Sequence, residues 1–294
     1  MTELDRYALR RTVREAAIRL SRAGIASPDV DARLLAEHLL GGPVLLADGA
    51  PEGFPTAYTE LVQRRAAREP LQHILGVMWF RGLELACRPG VFIVRPETEV
   101  VAGAAIEAAR TVASEEERGP VVVDLCAGSG AIAAAVAVEV PGARVWAVEA
   151  DTTAVALARE NCERLAPGRV EIIRGDVTDP AVLAELDGRV DVVVSNPPYV
   201  PAGEVEDVET AGYDPDLALY GGGADGLRLP LAVVERAAAL LRPGAVLVME
   251  HDPGQGAALR AAALGAGFTE AVTGQDLAGR DRYLRAVTEL ASRA

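Results

Sequence analysis

The feature that most constrains this chain is a series of short apolar segments that alternate with helical patterns. The strand-like segments are 121–125, 145–149, 170–173, 190–195 and 245–250. Strands that alternate with helices predict a mostly parallel sheet with helices on both faces. Two later segments, 268–273 and 282–287, have no helix between them. We therefore expect an α/β fold with an antiparallel last strand, in which these two segments pair with each other at the sheet edge.

The first 76 residues have a different pattern. Apolar residues recur at helical spacing over 9–20. Ser27-Pro28 predicts the N-cap and first turn of a second helix, and a third is expected over about 56–68. The domain boundaries that these patterns predict are a small all-helical domain over 1–76, a β-hairpin linker over 77–95 and the α/β domain over 96–294.

Charge and composition exclude several classes of function. The net charge is −14 and all 29 basic residues are arginine, a balance that opposes broad contact with phosphate backbones, so no direct nucleic-acid partner is expected. Three cysteines and three histidines are scattered along the chain, which predicts reduced buried thiols and no metal. No secretion signal or bilayer-length apolar run is visible. We expect a cytoplasmic protein with no membrane partner.

The first strand of the α/β domain runs directly into a glycine-containing turn, Cys126-Ala127-Gly128-Ser129-Gly130, and an alanine-rich helix follows. Ligands of doubly wound sheets bind beyond the carboxyl ends of strands, near the point where strand order reverses. Glu149 closes the second strand, where a carboxylate can accept hydrogen bonds from ribose hydroxyls. The turn and Glu149 together predict a nucleotide-type cofactor.

Two cofactors fit this pattern. Gly128, Gly130 and Ala133 match the loose dinucleotide pattern, so a nicotinamide-dependent oxidoreductase stays open. Asp124 favours S-adenosylmethionine, because an acid beside the turn would repel a pyrophosphate and attract a sulfonium and an ammonium. Asp176-Val177 follows the third strand and supplies a second acid, suited to an adenine amino group.

Asn196-Pro197-Pro198-Tyr199 follows the fourth strand at the same end of the predicted sheet. Consecutive prolines fix the backbone and present carbonyl acceptors. The Asn196 side-chain oxygen and the Pro197 carbonyl would hold both hydrogens of a planar NH₂ group and aim its nitrogen at a methyl donor. Tyr199 would pack on the planar group. The predicted catalytic residues are Asn196, Pro197 and Tyr199, and the reaction is methylation of an amide or amine nitrogen.

The tetrapeptide does not by itself distinguish a glutamine amide from the exocyclic amine of adenine. A DNA or RNA adenine-N6 methyltransferase therefore stays open as an alternative. Enzymes of that kind bind the phosphate backbone and flip the target base out of the helix, so they need a basic cleft or a target-recognition domain. This acidic chain shows neither pattern, so a protein substrate is favoured.

With these motifs, and with the segments 70–76, 92–99 and 276–282, nearly the whole chain resembles the bacterial release-factor glutamine methyltransferases. Val94 and Cys126-Ala127 depart from the usual pattern without removing a proposed chemical group. The resemblance implies a Rossmann-like S-adenosylmethionine-dependent fold. It also implies methylation of the glutamine in the Gly-Gly-Gln motif of class I peptide chain release factors, with S-adenosylhomocysteine as product and the helical domain contributing to release-factor recognition.

The resemblance also implies positions for the two sites. The cofactor-binding residues it implies are Cys126, Ala127, Gly128, Ser129, Gly130, Glu149, Asp176, Val177 and Asn196. Asp124 is added to this set because of its charge beside the turn. The substrate-binding residues it implies are Asn196, Pro197, Pro198, Tyr199, Arg95 and Glu97. For Arg95 and Glu97 a purely structural role, in a salt-bridge cluster at a helix start, is an equal alternative.

Overall fold

The computed structural model describes residues 2–116, 118–204 and 207–290. The chain divides into two compact units. The first contains the described residues within 1–77, 87–89 and 205–213, and the second contains those within 78–86, 90–204 and 214–294. Within the described ranges, no helix combines the length and apolar character needed to cross a bilayer.

The first unit is mainly helical. Its N-terminal elements are β1 (Thr2–Asp5), α1 (Arg6–Arg22), α2 (Pro28–Leu40), β2 (Gly49–Pro51), α3 (Phe54–Ala66) and α4 (Leu71–Leu75). The three predicted helices are present, but β1 and β2 pair antiparallel, so this part of the chain is not all-helical. Asp5 caps α1 through its carboxylate, whereas the side chain of Ser27 makes no cap hydrogen bond at α2, contrary to the sequence prediction.

A buried ion pair lies in the helical unit. Asp31 of α2 accepts a hydrogen bond of 2.7 Å from Arg65 of α3. Arg65 and Arg68 each lie 3.0 Å from Glu209, a residue of the long segment that follows the Asn-Pro-Pro-Tyr sequence. Part of that segment therefore belongs to the helical unit.

The second unit carries the sheet. A hairpin of β3 (Val77–Phe80) and β4 (Leu83–Ala86) precedes it in sequence, and Val77 itself is assigned to the first unit. The remaining strands are β5 (Val121–Leu125), β6 (Arg144–Glu149), β7 (Val170–Arg174), β8 (Val190–Ser195), β9 (Leu241–Glu250), β10 (Phe268–Gln275) and β11 (Asp281–Thr288). The remaining helices are α5 (Thr98–Glu115), α6 (Ala131–Glu139), α7 (Thr152–Leu165), α8 (Val208–Tyr213), α9 (Asp216–Leu219), α10 (Arg228–Leu240) and α11 (Gly256–Gly265). Of these, α8 belongs to the first unit.

The seven strands lie in the order β10-β11-β9-β8-β5-β6-β7. β11 runs antiparallel to both of its neighbours, and the other neighbouring pairs are parallel. The predicted mostly parallel sheet with an antiparallel last strand is therefore confirmed. All six residues of β8 are buried, because helices cover both faces of its apolar run. The short helices α8 and α9 interrupt the stretch between the Asn-Pro-Pro-Tyr sequence and α10.

One buried carboxylate joins the amino ends of the two central strands. The Asp191 side chain accepts hydrogen bonds from the Arg118 guanidinium at 2.6 and 2.8 Å, from the Val121 amide at 2.7 Å, and from Arg242. Burial opposes its ionisation, but these donors outweigh it and hold the pKa of Asp191 below its ordinary value.

We expect Asp191→Ala to destabilise the protein by about 1–3 kcal/mol, because it removes the shared acceptor of two arginines and a strand amide. Chemical denaturation followed by circular dichroism measures the change in unfolding free energy. Glu107→Gln, on the exposed face of α5, is the control. Equal stability of both variants would contradict the assigned role of Asp191.

Candidate active site

The two motifs predicted from sequence begin side by side at one edge of the sheet. β5 and β8 are parallel neighbours, and Leu125 lies opposite Ser195 in their register. The Ser195 hydroxyl donates a 2.6 Å hydrogen bond to the Leu125 carbonyl. The structure therefore brings the glycine turn, which follows Leu125, next to Asn196, which follows Ser195.

The glycine turn is held by left-handed backbone and by a close helix. Cys126, Gly128 and Gly130 have φ of 61°, 54° and 79°. A Cβ at Gly130 would lie 3.0 Å from the Cys162 sulfur, so only glycine allows α7 to approach this closely. Cys126 is half-buried in the turn, whereas Cys162 is buried as expected of a reduced thiol.

Glu149 shapes the turn from the end of β6. One of its carboxylate oxygens accepts a 2.8 Å hydrogen bond from the Gly128 amide, and the other accepts a 2.9 Å bond from the Asp151 amide. A carboxylate oxygen has a second lone pair, so these bonds leave Glu149 able to accept from ribose hydroxyls. That role stays a prediction.

The buried carboxyl group of Asp124 has fewer hydrogen-bond donors around it than its two oxygens can accept. It is fully buried at the end of β5. One carboxyl oxygen accepts a 3.1 Å hydrogen bond from the Ala133 amide, and the other has no hydrogen-bond partner among the described residues. Burial, reinforced by the nearby Glu149 charge, raises the pKa of Asp124 to about 8. A buried acid that lacks a counter-charge fits a ligand that carries positive charge, as S-adenosylmethionine does.

Asp176 lies at the same edge, after β7. It is exposed and accepts hydrogen bonds of 2.8 Å from the Thr178 amide and hydroxyl, which lower its pKa. These contacts make it an ordinary turn residue as well as a predicted contact for adenine. Val177 beside it is 7% exposed. The geometry is compatible with the predicted adenine contacts and does not test them.

The Asn-Pro-Pro-Tyr segment is anchored by three side chains that the sequence analysis did not single out. The Asn196 side-chain nitrogen donates a 3.2 Å hydrogen bond to the Thr98 hydroxyl. The Tyr199 hydroxyl donates a 3.1 Å bond to Glu250, and the Tyr199 carbonyl accepts a 2.8 Å bond from Gln255. Thr98 begins α5 and Glu250 ends β9. These positions at element ends were the only indication in the sequence that the two residues could belong to the site. Nothing in the sequence pointed to Gln255.

Arg95 and Glu97 are both engaged in ion pairs. Arg95 lies 2.5 Å from the nearly buried carboxylate of Asp214 and over the ring of Phe92 at 4.9 Å. Glu97 lies 3.4 Å from Arg280. These contacts support the structural alternative for both residues. Their contact with substrate stays a prediction.

Two family models match the chain. The model described as Methyltransferase small domain matches residues 84–211, and the model described as PrmC N-terminal domain matches residues 12–76. The first match includes the glycine turn and the Asn-Pro-Pro-Tyr segment. The second lies within the helical unit.

Curated bacterial proteins named release factor glutamine methyltransferase are similar to nearly the whole chain. The protein of Bifidobacterium longum is 45% identical over 94% of this chain and 98% of its own length. The protein of Corynebacterium glutamicum is 45% identical over 93% and 96%. The protein of Streptomyces coelicolor is 48% identical over 83% and 85%.

Solved structures of methyltransferases share the fold. The T. thermophilus 16S rRNA N2 G1207 methyltransferase, solved in complex with AdoMet and guanosine, matches with a TM-score of 0.50 and 27% identity, over 72% of this chain and 50% of that one. A methyltransferase from Pyrococcus furiosus matches with a TM-score of 0.50 and 18% identity, over 71% of this chain and 91% of that one. The second likeness shows the fold alone.

The raised pKa of Asp124 predicts how stability depends on pH. The folded protein keeps a proton that the unfolded chain releases near pH 4, so this group makes the fold less stable as pH rises towards 8, by at most about 1.4 kcal/mol per pH unit. We expect Asp124→Asn to remove that loss, since the amide oxygen still accepts from Ala133. The stability difference between variant and wild type, measured by denaturation at several pH values, should grow between pH 5 and 8. A pH-independent difference would contradict the prediction. Asp179→Asn, at an exposed position, is the control substitution.

Proposed function

This chain belongs to the release factor glutamine methyltransferase family, and we propose that it methylates the side-chain amide nitrogen of a release-factor glutamine with S-adenosylmethionine. The observation that carries the proposal is the position of Asn196 directly after β8, beside the glycine turn that follows β5. A planar nitrogen held at Asn196 would lie next to a methyl donor held at the turn. A nicotinamide-dependent oxidoreductase gives Asn196 no task.

The residues that would hold the cofactor are those that line this edge of the sheet. They are Asp124, Cys126, Ala127, Gly128, Ser129, Gly130, Glu149, Asp176, Val177 and Asn196. Bound there, S-adenosylmethionine supplies an electrophilic methyl group and leaves as S-adenosylhomocysteine. Asp124, protonated at neutral pH in the free protein, would ionise beside the cationic part of the bound cofactor, and Glu149 provides acceptors for ribose hydroxyls.

The chain's own contribution to the reaction is positioning. An amide nitrogen is a weak nucleophile because its lone pair is delocalised. Asn196 and the Pro197 carbonyl accept its two hydrogens and so fix the direction of the nitrogen, which lowers the entropic part of the barrier. The same two dipoles stabilise the positive charge that develops on nitrogen during transfer. Tyr199 packs against the planar amide.

The protein substrate we propose is a class I peptide chain release factor, methylated on the glutamine of its Gly-Gly-Gln motif. The names of the relatives support the release factor and its glutamine, and the net charge of −14 is unfavourable for a nucleic-acid substrate. Recognition of the release factor would fall partly to the helical unit, which matches the N-terminal family model. Release factors act on ribosomes, so the proposal assigns the chain to the cytoplasm.

The decisive experiment incubates the purified chain with S-adenosylmethionine and a release factor and examines the Gly-Gly-Gln peptide by mass spectrometry. We expect one added methyl group on the glutamine. Single- and double-stranded nucleic acids are the matched alternative substrates. Methylated adenine together with an unmodified release factor would overturn the proposed substrate.

Asn196→Ala tests the catalytic assignment. We expect turnover to fall by about 100-fold or more, because one of the two preorganised acceptors is lost. Binding of S-adenosylhomocysteine, measured by calorimetry, should persist in weakened form, which shows that the site is folded. Near-normal turnover would contradict the role of Asn196.

A further inference from the structure

A connected line of polar side chains lies behind the Asn-Pro-Pro-Tyr segment. It starts at Asn196, whose side-chain nitrogen bonds the Thr98 hydroxyl at 3.2 Å. The Thr98 hydroxyl also acts on the Glu250 carboxyl, whose pKa it lowers. The Tyr199 hydroxyl reaches the same carboxyl at 3.1 Å. Two buried residues, Thr98 and Glu250, thus join the first and last residues of the tetrapeptide.

Ionisation of Glu250, whose pKa is about 7, sets the polarity of this line. Above that pH its carboxylate only accepts hydrogen bonds, so Glu250 takes the single proton of the Thr98 hydroxyl. The Thr98 oxygen can then only accept from Asn196. The Asn196 amide must therefore present its NH₂ end to Thr98, and its oxygen faces the opposite way.

That orientation matters for the reaction. The proposed task of Asn196 is to accept a hydrogen from the substrate amide, which requires its oxygen and not its NH₂ group at the substrate. An amide rotated by half a turn would present two donors to a group that also donates. The hydroxyl of Thr98 is the contact that distinguishes the two orientations.

We propose that Thr98 and Glu250 are positioning residues that hold the oxygen of Asn196, and the hydroxyl end of Tyr199, in the arrangement needed for methyl transfer. The proposal rests on the proposed function, because it assigns these residues to the same reaction. It concerns residues that contact Asn196 and Tyr199 and that do not touch the reacting atoms.

The cost of burying Glu250 supports a functional reason for it. Its side chain is 1% exposed, and one carboxyl oxygen has no hydrogen-bond partner among the described residues. Burial, partly offset by Thr98, Tyr199 and Arg282 and reinforced by Glu97, raises its pKa to about 7. An apolar side chain would fill such a position at lower free energy.

The bond to Thr98 is tested without any substrate. The chain has only two asparagines, Asn161 and Asn196, so selective ¹⁵N-asparagine labelling yields two side-chain NH₂ pairs in an NMR spectrum. We expect Thr98→Val to shift the Asn196 pair. The Asn161 pair, bonded to the carbonyls of Ala86 and Ser129, should stay in place. An unshifted Asn196 pair would overturn the proposed contact.

The kinetic test uses isosteric changes at Thr98. We expect Thr98→Val to lower kcat for release-factor methylation by about ten-fold or more, with little change in KM for the release factor. Binding of S-adenosylhomocysteine should be unchanged. Thr98→Ser should restore most of kcat because it keeps the hydroxyl, and Thr111→Val, on the exposed part of the same helix, is the control. Equal kcat for the valine and serine variants would overturn the proposal.

A double-mutant cycle then tests whether Thr98 and Glu250 act together. We expect Glu250→Met to lower kcat about as much as Thr98→Val does. The kcat of the double variant should be about equal to that of the more impaired single variant. Thermal stability of Glu250→Met should equal or exceed that of wild type, because a buried carboxyl is removed. Multiplicative losses, or a loss of activity that follows a loss of stability, would overturn the proposal. Absence of methylation by wild type would instead refute the proposed function and leave the NMR result intact.

Discussion

The register of β5 against β8 is the constraint on which the rest of the site depends. Parallel strands end at the same edge, and the pairing of Leu125 with Ser195 makes the two central strands end level with one another. A shift by one residue would turn every side chain of β8 to the opposite face. The Asp191 carboxylate at one end and the Ser195 hydroxyl at the other both bridge these strands.

Two buried acids, Asp124 and Glu250, stand out against this apolar sheet. Each follows a run of buried strand residues, and each has a carboxyl oxygen without a partner in the described part of the chain. Their pKa values are raised to about 8 and about 7. Acids so placed reduce the stability of the fold, and groups of this kind cluster at functional sites. One acid lies beside the glycine turn and the other behind the Asn-Pro-Pro-Tyr segment.

Most of the sheet was predictable from sequence, because its strands are apolar runs bounded by turns. β5 and β8 have the predicted bounds, and the other strands differ by a few residues. The short elements were not predicted. β1 and β2 form only by pairing with each other, and α8 and α9 lie in a segment without a periodic pattern. Their formation depends on tertiary contacts, such as Arg65 with Glu209.

The residues of the candidate site also fall into two groups, those that a sequence motif predicts and those that only the fold brings together. Residues within one motif, such as Gly128 or Asn196, could be predicted as site residues because the neighbouring sequence suggests their roles. Thr98 and Glu250 were missed as partners of Asn196 and Tyr199, because their contacts join segments far apart in the chain. The sequence placed both at element ends without indicating which side chains would meet. Only the folded arrangement supplies that information.

The strand order also determines when the sheet can be completed as the chain is made. β11 is the last strand in sequence, yet it lies between β9 and β10. Until synthesis passes Thr288, β9 keeps an unpaired edge and β10 has no strand to join. Glu250 ends β9 directly opposite Tyr283 of β11, so this side of the site becomes ordered late. A nascent chain shorter than this carries the glycine turn but an open sheet, which is the form most exposed to aggregation.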